Sequence, residues 1–230
     1  FFCVILGTIG GGAMEARIIE DGRRAIAEGT SRLQRYSLRG TSEGDVGICG
    51  GDVQVFLEVV TPQQELLIIG GGHIALHLAR LGPELGFRTI VVDDRADFAN
   101  EERFPTADRT IVADPGMIKE VVDITDRTCV VIATRGHRHD EAALAAVLDS
   151  PAQYIGMIGS WRKVATIFEH LREAGAKDED LERIFAPIGL DIGSDTPAEI
   201  ALSIMAEIIM ARRGGSGRPL RELGNPIWQQ

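Results

Sequence analysis

The sequence predicts an α/β protein in which a Rossmann-like doubly wound parallel sheet follows a smaller N-terminal α+β domain. From residue 63 onward, short apolar runs alternate with helical patterns, which indicates parallel strands joined by crossover helices. The first of these runs, "ELLII", stops at glycines, and a helical pattern follows at once, as in a dinucleotide-binding turn. The residues before 63 lack that alternation, so a separate small domain is expected there.

The N-terminal segment mixes short strands with one helix. "FFCVIL" is strand-like, and "AMEARIIEDGRRAIAEG" carries apolar residues at helical spacing. "QRYSLRG" and "DVQVFLEVV" have strand compositions, and the second alternates apolar and polar residues. The polar "TPQQ" marks the boundary, which gives an N-terminal domain at 1–62 and a Rossmann-like domain at 63–230. Because the chain opens inside a strand pattern without a methionine, we expect that residues precede it.

The second segment reads as strands and helices in alternation. The strands are "ELLII", "FRTIVVDD", "RTIVA", "TCVVIAT" and "AQYIGMI". The helices are "HIALHLARLGPEL", about 116–123, 139–149 and 161–174, and a long last one. That last helix has a well-defined start, with Thr196 as N-cap, Pro197 in the first helical position and Glu199 to complete a capping box. The tail after it is expected to be irregular.

Composition excludes several classes of protein. A hydrophobic fraction of 44% supports a large core, so a disordered chain is not expected. The net charge of −10 and the lack of long basic runs argue against nucleic acid as a partner. The three cysteines form no CxxC pair, which favours a reducing cytoplasm over a disulfide framework. No apolar run reaches the length of about 18 residues that a membrane span needs.

The stretch "GGGHIA" predicts an anion site. Gly70 permits a tight turn, Gly72 lets backbone N–H groups meet a phosphate, and the small Ala75 lets helix and strand pack closely. Gly71 and His73 belong to the same turn, and the helix N-terminus adds its positive end to the anion site. The acidic pair Asp93 and Asp94 ends the next strand, where the dinucleotide fingerprint has its ribose-binding carboxylate. A purely structural turn is the alternative.

Arg95, just after the acidic pair, fits either a 2′-phosphate contact or a solvated surface charge.

The stretch "MIGSWRKV" indicates a second anion contact. Gly159 and Ser160 can start a helix, which then carries Arg162 and Lys163 in its first turn. Basic residues are unfavourable there unless an anion offsets them. An ordinary capped helix is the alternative.

The stretch "ATRGHRHDEAAL" ends the fourth strand, where ligands of such sheets bind. Arg135 and His137 are therefore candidate binding residues. His137 with His139, like His73 with His77 one helical turn apart, lacks the further ligands of a recognisable metal site, so no metal is expected.

The N-terminal segment has glycine motifs of its own. Cys49 lies in the turn "GICGGDVQVFLE", where glycine neighbours leave a thiol accessible, although a plain turn residue fits as well. Glu15 follows Gly10, Gly11 and Gly12 and falls in the first turn of a helix, where a carboxylate is favourable for structural reasons alone. Cys3 and Cys129 lie in apolar runs and are expected in the core.

These motifs together resemble the XdhC/CoxI proteins, the accessory factors of xanthine dehydrogenase and related molybdenum hydroxylases. The resemblance covers nearly the whole chain. It rests on "GTIGGGAMEA", "CGGDVQVFLE", "IIGGGHIALHLARLGPELGFRTIVVDDRADFANEERFP", "TRGHRHDEAAL", "YIGMIGSWRKV" and "APIGLDIGSDTPAEIALSIMAEI", in the family's order. The family normally has an upstream segment with a Gly-Ser-x-Pro-Arg turn, which this sequence lacks.

The resemblance implies a carrier rather than a turnover enzyme. Such proteins bind molybdenum cofactor, protect it while a cysteine desulfurase supplies its terminal sulfur, and deliver it to the apo-enzyme. Cys49 matches the cysteine of the family's CGG motif, which implies a role in handling sulfur or cofactor, and Gly10, Gly11, Gly12 and Glu15 match its GGG-x-x-E element. The resemblance also implies that the cofactor lies in a cleft between the small domain and the carboxyl edge of the sheet.

Two other functions stay open from the sequence. The glycine turn with Asp93 also fits an NAD(P)-dependent oxidoreductase, with His137 and His139 as candidate proton donors, or a nucleotide-sensing regulatory module. The form of the cofactor, molybdopterin or its cytosine dinucleotide, is open too. The apolar last helix is compatible with a homodimer.

Overall fold

The computed structural model describes residues 4–38, 50–60 and 63–223. It divides into two compact units, residues 1–62 and residues 63–230. Among the described residues, no helix is long and apolar enough to cross a membrane.

The first unit consists of one helix and one hairpin. Helix α1 (Gly12–Glu28) ends at Gly29, whose left-handed backbone closes the last turn, and strands β1 (Arg32–Ser37) and β2 (Asp52–Leu57) pair antiparallel. The expected first strand is wrong for the part that the structure describes, because residues 4–6 are exposed and belong to no strand. Phe1, Phe2 and Cys3 lie outside the described residues.

The second unit is built on a six-stranded parallel sheet. Its strands are β3 (Gln64–Ile69), β4 (Phe87–Asp93), β5 (Arg109–Val112), β6 (Thr128–Ile132), β7 (Tyr154–Met157) and β8 (Ile184–Phe185). They lie in the order β5-β4-β3-β6-β7-β8, which is the strand order of a Rossmann fold. The fold class expected from the sequence is therefore confirmed.

The helices cover both faces of this sheet. They are α2 (His73–Glu84), α3 (Ile118–Val121), α4 (His137–Val147), α5 (Trp161–Glu173), α6 (Asp178–Glu182) and α7 (Pro197–Arg213). Helices α2 and α7 pack against each other on one face, whereas α4 packs with α3 and α5 on the other.

The central strands are apolar throughout because both of their faces are buried. In β3, Leu66 and Ile68 face the core that α2 and α7 cover, and Leu67 and Ile69 face the core under α3, α4 and α5. All four side chains are fully buried. The thiol of Cys129 is also buried in this sheet, and burial raises its pKa to about 11, so it is an inert core residue as expected.

Helix α7 anchors the loop that follows β8. Thr196 and Glu199 form the reciprocal capping box that the sequence indicates. Within the helix, the buried Glu207 carboxylate accepts a hydrogen bond from the Tyr154 hydroxyl at 2.6 Å and one from the Gly189 N–H at 2.9 Å. Burial and this carboxylate raise the pKa of Tyr154. The loop is thus held to both the sheet and the helix.

Candidate functional site

The carboxyl ends of four neighbouring strands lie level with one another. Ile69 of β3 pairs with Val92 of β4 and with Ile132 of β6, and Ile132 pairs in turn with Met157 of β7. The last residue of each strand and the residues after it therefore lie at the same edge of the sheet. These include all candidate residues of the second unit: Gly70, Gly71, Gly72, His73, Asp93, Asp94, Arg135, His137, Gly159, Ser160, Arg162 and Lys163.

The switch point of the sheet lies between β3 and β6. Helix α2 leaves β3 toward one face and α4 leaves β6 toward the other. In open α/β sheets this divergence opens a crevice that binds ligands.

The glycine turn after β3 needs its glycines for different reasons. A side chain on Gly70 would place its Cβ 2.3 Å from the carbonyl oxygen of Ala133, and one on Gly71 would place it 2.0 Å from the carbonyl oxygen of Phe98. Gly72 faces open space instead. The first two glycines therefore let protein backbone pack closely, and the third leaves room where α2 begins.

The N-terminus of α2 has no side-chain cap. No described residue accepts a hydrogen bond from the N–H groups of Gly72, His73 and Ile74. Helix α4, on the other side of the switch point, begins after Gly136 and also lacks a side-chain cap. Uncapped N–H groups and the positive end of a helix dipole together favour an anion.

The longer helices α5 and α7 are capped by their own side chains. Ser160 accepts a hydrogen bond from the N–H of Lys163 at the start of α5, and Thr196 caps α7. The uncapped ends of α2 and α4 flank the crevice and differ in this from α5 and α7, although the short helices α3 and α6 also lack side-chain caps.

Asp93 stabilises the glycine turn. Its buried carboxylate accepts a hydrogen bond from the Gly71 N–H at 2.8 Å and pairs with Arg95 through Nε at 2.8 Å and Nη2 at 3.0 Å. Burial alone would raise the pKa of Asp93, but the hydrogen bonds from Arg95 and Gly71 outweigh it and lower that pKa. Both oxygens of Asp93 and the guanidinium of Arg95 are therefore engaged with each other.

Asp94, by contrast, spans the crevice. Its Oδ2 lies 2.6 Å from Arg135 Nη2 after β6, and 3.7 Å from His139 Nε2. Since β3 lies between β4 and β6, this ion pair bridges the two strands on either side of the glycine turn.

Phe98 and Arg103 cover the turn, and sequence reasoning missed both. Arg103 Nε donates to the Gly71 carbonyl oxygen at 3.0 Å, and the guanidinium groups of Arg95 and Arg103 lie 3.5 Å and 4.8 Å from the centroid of the Phe98 ring. The only signal for them is that they belong to the stretch following the acidic pair.

The predicted second anion contact consists of two basic residues, of which one is engaged by a protein carboxylate and the other by no carboxylate of the described residues. Lys163 is engaged by the buried Asp140 carboxylate, and its Nζ also donates to the Ile158 carbonyl oxygen at 3.1 Å. Arg162 is exposed, and no described residue forms an ion pair with it. The charge that offsets the basic first turn of α5 is thus in part Asp140, a protein carboxylate.

A groove of about 440 Å³ lies between α4 and α5. It is lined by His137, Glu141, Ser160, Arg162, Lys163, Thr166, Ile167 and His170. His170 Nδ1 lies 3.1 Å from Glu141 Oε2, and this hydrogen bond raises the pKa of the imidazole.

The glycine element of the first unit is ordered by Glu15. Thr8 donates its hydroxyl proton to Glu15 Oε2, which also accepts from the N–H groups of Ile9 at 2.9 Å and Gly11 at 3.2 Å. These hydrogen bonds, that of Thr8 first, lower the pKa of Glu15. Gly10, Gly11 and Gly12 have φ of 119°, 73° and 71°, a left-handed run that only glycine adopts readily.

Two further expectations concern cysteine and metal. Cys49 lies outside the described residues. Among the residues that the structure does describe, no group of three or more His, Cys, Asp and Glu side chains could share a metal ion.

The chain matches two family models. Residues 66–208 match the model described as the XdhC Rossmann domain, and residues 4–37 match the model of the XdhC and CoxI family.

Two relatives match over much of the chain. The uncharacterized protein YqeB of Escherichia coli is 34% identical over 228 residues, which is 98% of this chain and 42% of YqeB. A probable xanthine dehydrogenase subunit of Bacillus subtilis is 29% identical over 159 residues, which is 69% of this chain and 46% of that protein. The chain therefore spans less than half the length of both relatives.

A similar solved structure is that of a xanthine dehydrogenase from Bacillus halodurans. It superimposes with a TM-score of 0.60 at 21% identity and covers 91% of this chain and 83% of the other. At that identity the likeness shows a shared fold.

Proposed function

The chain belongs to the XdhC and CoxI family, and we propose that it is an accessory protein that holds molybdenum cofactor for a xanthine dehydrogenase-type enzyme. In this proposal it protects the cofactor while a cysteine desulfurase provides the terminal sulfur, and then delivers it to the apo-enzyme. The bound form is molybdopterin or its cytosine dinucleotide.

The observation that carries the proposal is the free helix end at the switch point. The N–H groups of Gly72, His73 and Ile74 have no acceptor among the described residues, and Gly72 faces open space. A phosphate there would gain charge-assisted hydrogen bonds and the positive end of the α2 dipole. Arg135, across the crevice, supplies a positive charge on a partly exposed side chain.

These residues fit the phosphate end of the cofactor. The amides of Gly72 and His73 would hold the phosphate, and Arg135 and His137 would contact it from the α4 side. The cofactor, when bound, supplies a molybdenum centre on a dithiolene whose exchangeable sulfur the client enzyme needs. Cys49 would handle that sulfur, as the CGG motif of the family implies.

The geometry of Asp93 favours this ligand over a nicotinamide dinucleotide. In the dinucleotide fingerprint, a carboxylate at the end of the second strand accepts from the ribose hydroxyls. Here the Asp93 oxygens already accept from Gly71 and Arg95. Arg95, which would have to bind a 2′-phosphate, is engaged by the same carboxylate. A ribose contact at Asp93 would have to displace these bonds, and the neighbouring Asp94 already pairs with Arg135.

Equilibrium binding under anaerobic conditions tests the proposal. The purified protein is expected to bind molybdenum cofactor, and Arg135→Ala is expected to weaken binding. Arg138→Ala is the matched control, because Arg138 is an exposed arginine in the first turn of α4 and no described residue forms an ion pair with it. Tighter binding of NADH or NADPH than of the cofactor would overturn the proposal in favour of the oxidoreductase or the nucleotide sensor.

The role of Cys49 needs a separate measurement. Sulfur transferred from a cysteine desulfurase to protein-bound cofactor is measured in wild type and in Cys49→Ala. Loss of transfer with retained cofactor binding supports sulfur handling by Cys49. Equal transfer in both proteins removes Cys49 from the proposal and leaves the phosphate site intact.

A further inference from the structure

Trp161 stands out on the carboxyl edge of the sheet. It is the first residue of α5, and 79% of its surface is exposed. An indole ring is a large apolar surface that proteins usually bury at least in part. Its position and its neighbours indicate whether the exposed ring can bind a ligand.

The strand register places Trp161 near the glycine turn. Met157 at the end of β7 is level with Ile69 at the end of β3, with only β6 between them. Two strand spacings of about 4.8 Å separate these ends by about 10 Å. Trp161 begins the helix that follows β7 as α2 follows β3. One elongated ligand can therefore reach from the α2 N-terminus to the start of α5.

Two basic residues follow Trp161 in α5, and they differ in whether their charge is paired. Ser160 and Arg162, which flank it, both line the groove between α4 and α5. Lys163 is turned to the buried Asp140, whereas Arg162 is exposed and without an ion pair among the described residues. An exposed indole provides a face on which a planar ring can stack, and the guanidinium of Arg162 can donate hydrogen bonds to polar atoms at the edge of that ring.

We propose that Trp161 is the stacking surface for the planar heterocycle of the ligand, with the phosphate at the α2 N-terminus. This inference rests on the proposed function and assigns the ring to the pterin. The cytosine base of a dinucleotide form has the same stacking chemistry, so the experiment must separate the two.

Tryptophan fluorescence reports on this contact directly. The chain has two tryptophans, Trp161 and Trp228. In a Trp228→Phe variant all indole emission comes from Trp161, and a titration with a pterin phosphate is expected to quench it. In a Trp161→Phe variant all indole emission comes from Trp228, and the same titration measures how much of the wild-type quenching belongs to that residue.

Affinity measurements on ring-deleting variants complete the test. Loss of a stacking contact is expected to lower affinity for the pterin phosphate about tenfold in Trp161→Ala, and Trp161→Phe is expected to recover most of it. Leu202→Ala is the matched control, because it removes an apolar side chain that is 54% exposed on α7. The melting temperatures of Trp161→Ala and Leu202→Ala should equal that of wild type, since both side chains are exposed.

The outcomes separate the inference from the proposed function. Equal affinity in wild type and Trp161→Ala overturns the inference and leaves the function standing. Quenching of Trp161 by cytidine monophosphate, with displacement of pterin phosphate, overturns the assignment of the ring to the pterin. If wild type binds neither molybdenum cofactor nor pterin phosphate, the proposed function and the inference both fail.

Discussion

Asp93 and Asp94 are consecutive residues whose side chains point in different directions and have different roles. The strand directs Asp93 inward, where it is 3% exposed and holds the Gly71 amide and Arg95. Asp94 points to the crevice and pairs with Arg135. Asp93 is the last residue of β4 and Asp94 the first residue after it, so the acidic pair provides one structural carboxylate and one surface carboxylate.

Asp94→Asn is expected to increase the affinity for molybdenum cofactor. In this structure Arg135 pairs with Asp94, so a phosphate must compete with that carboxylate for it. A partly exposed ion pair contributes up to about 1 kcal/mol, which corresponds to a gain of about fivefold. Equilibrium binding at low salt measures the effect.

Asp97→Asn is the control for this prediction. It removes the same charge from the following turn, and no described side chain pairs with Asp97. A similar gain in both variants would attribute the effect to net charge. Weaker binding in Asp94→Asn would mean that Asp94 contacts the ligand itself, as the dinucleotide fingerprint suggests.

At the scale of elements, two neighbouring glycines of the turn after β3 have different roles: Gly71 is needed for stability and Gly72 for ligand binding. Gly71→Ala is expected to destabilise the protein by about 1 to 3 kcal/mol, because its Cβ would lie 2.0 Å from the Phe98 carbonyl oxygen. Gly72→Ala is expected to leave the stability nearly unchanged, because the added Cβ meets no atom within 4 Å. Thermal unfolding of the two variants measures this difference.

Gly72→Ala is expected to impair binding instead. Its methyl group would occupy the space where a phosphate approaches the first amides of α2. Loss of one hydrogen bond to a charged group, about 1.5 to 3 kcal/mol, lowers affinity about tenfold or more. Unchanged affinity in a folded Gly72→Ala protein would show that the ligand binds elsewhere.

Most strands and helices of the second unit were predictable from the sequence, but β8 and α6 were not. The apolar run of β3 and the cap of α7 at Thr196 indicate their elements directly. Strand β8 has two residues and α6 has five. These are too few for the alternation of a strand or the periodicity of a helix to be recognised. Residues 4–6, the described part of "FFCVIL", illustrate the reverse error, since an apolar composition alone does not provide a strand partner.

Positions in the site were predictable, but partners were not. The fingerprint locates Gly70 and Asp93 at the edge of the sheet because strand ends and helix starts are coded locally. The partner of Asp94 is Arg135, 41 residues away, and that of Lys163 is Asp140, 23 residues away. Which charges a fold neutralises depends on long-range packing, and a single sequence does not reveal it.

At the scale of the whole molecule, each unit contains one of the two tyrosines of the chain. Tyr36 of the first unit is buried and donates to Asp21 Oδ2 at 2.9 Å, and Tyr154 of the second donates to Glu207. Each phenol is therefore a reporter of the unit that buries it. We propose that the two units, residues 1–62 and 63–230, are separately folding domains.

Alkaline titration is expected to show that both tyrosines are buried and that the two units unfold separately. Burial, together with Asp21, raises the pKa of Tyr36 from 10.0 to about 12, and the pKa of Tyr154 is also raised. A raised folded-state pKa means that the stabilising contribution is complete below pH 10 and is lost as pH rises through about 12. Tyrosinate absorbance should therefore be nearly absent in the folded protein at pH 10 and large in denaturant. Tyr36→Phe should remove the step that reports the first unit and leave that of Tyr154. Ordinary titration near pH 10 would contradict the burial of both phenols, and a single shared step that Tyr36→Phe shifts as a whole would contradict separate folding.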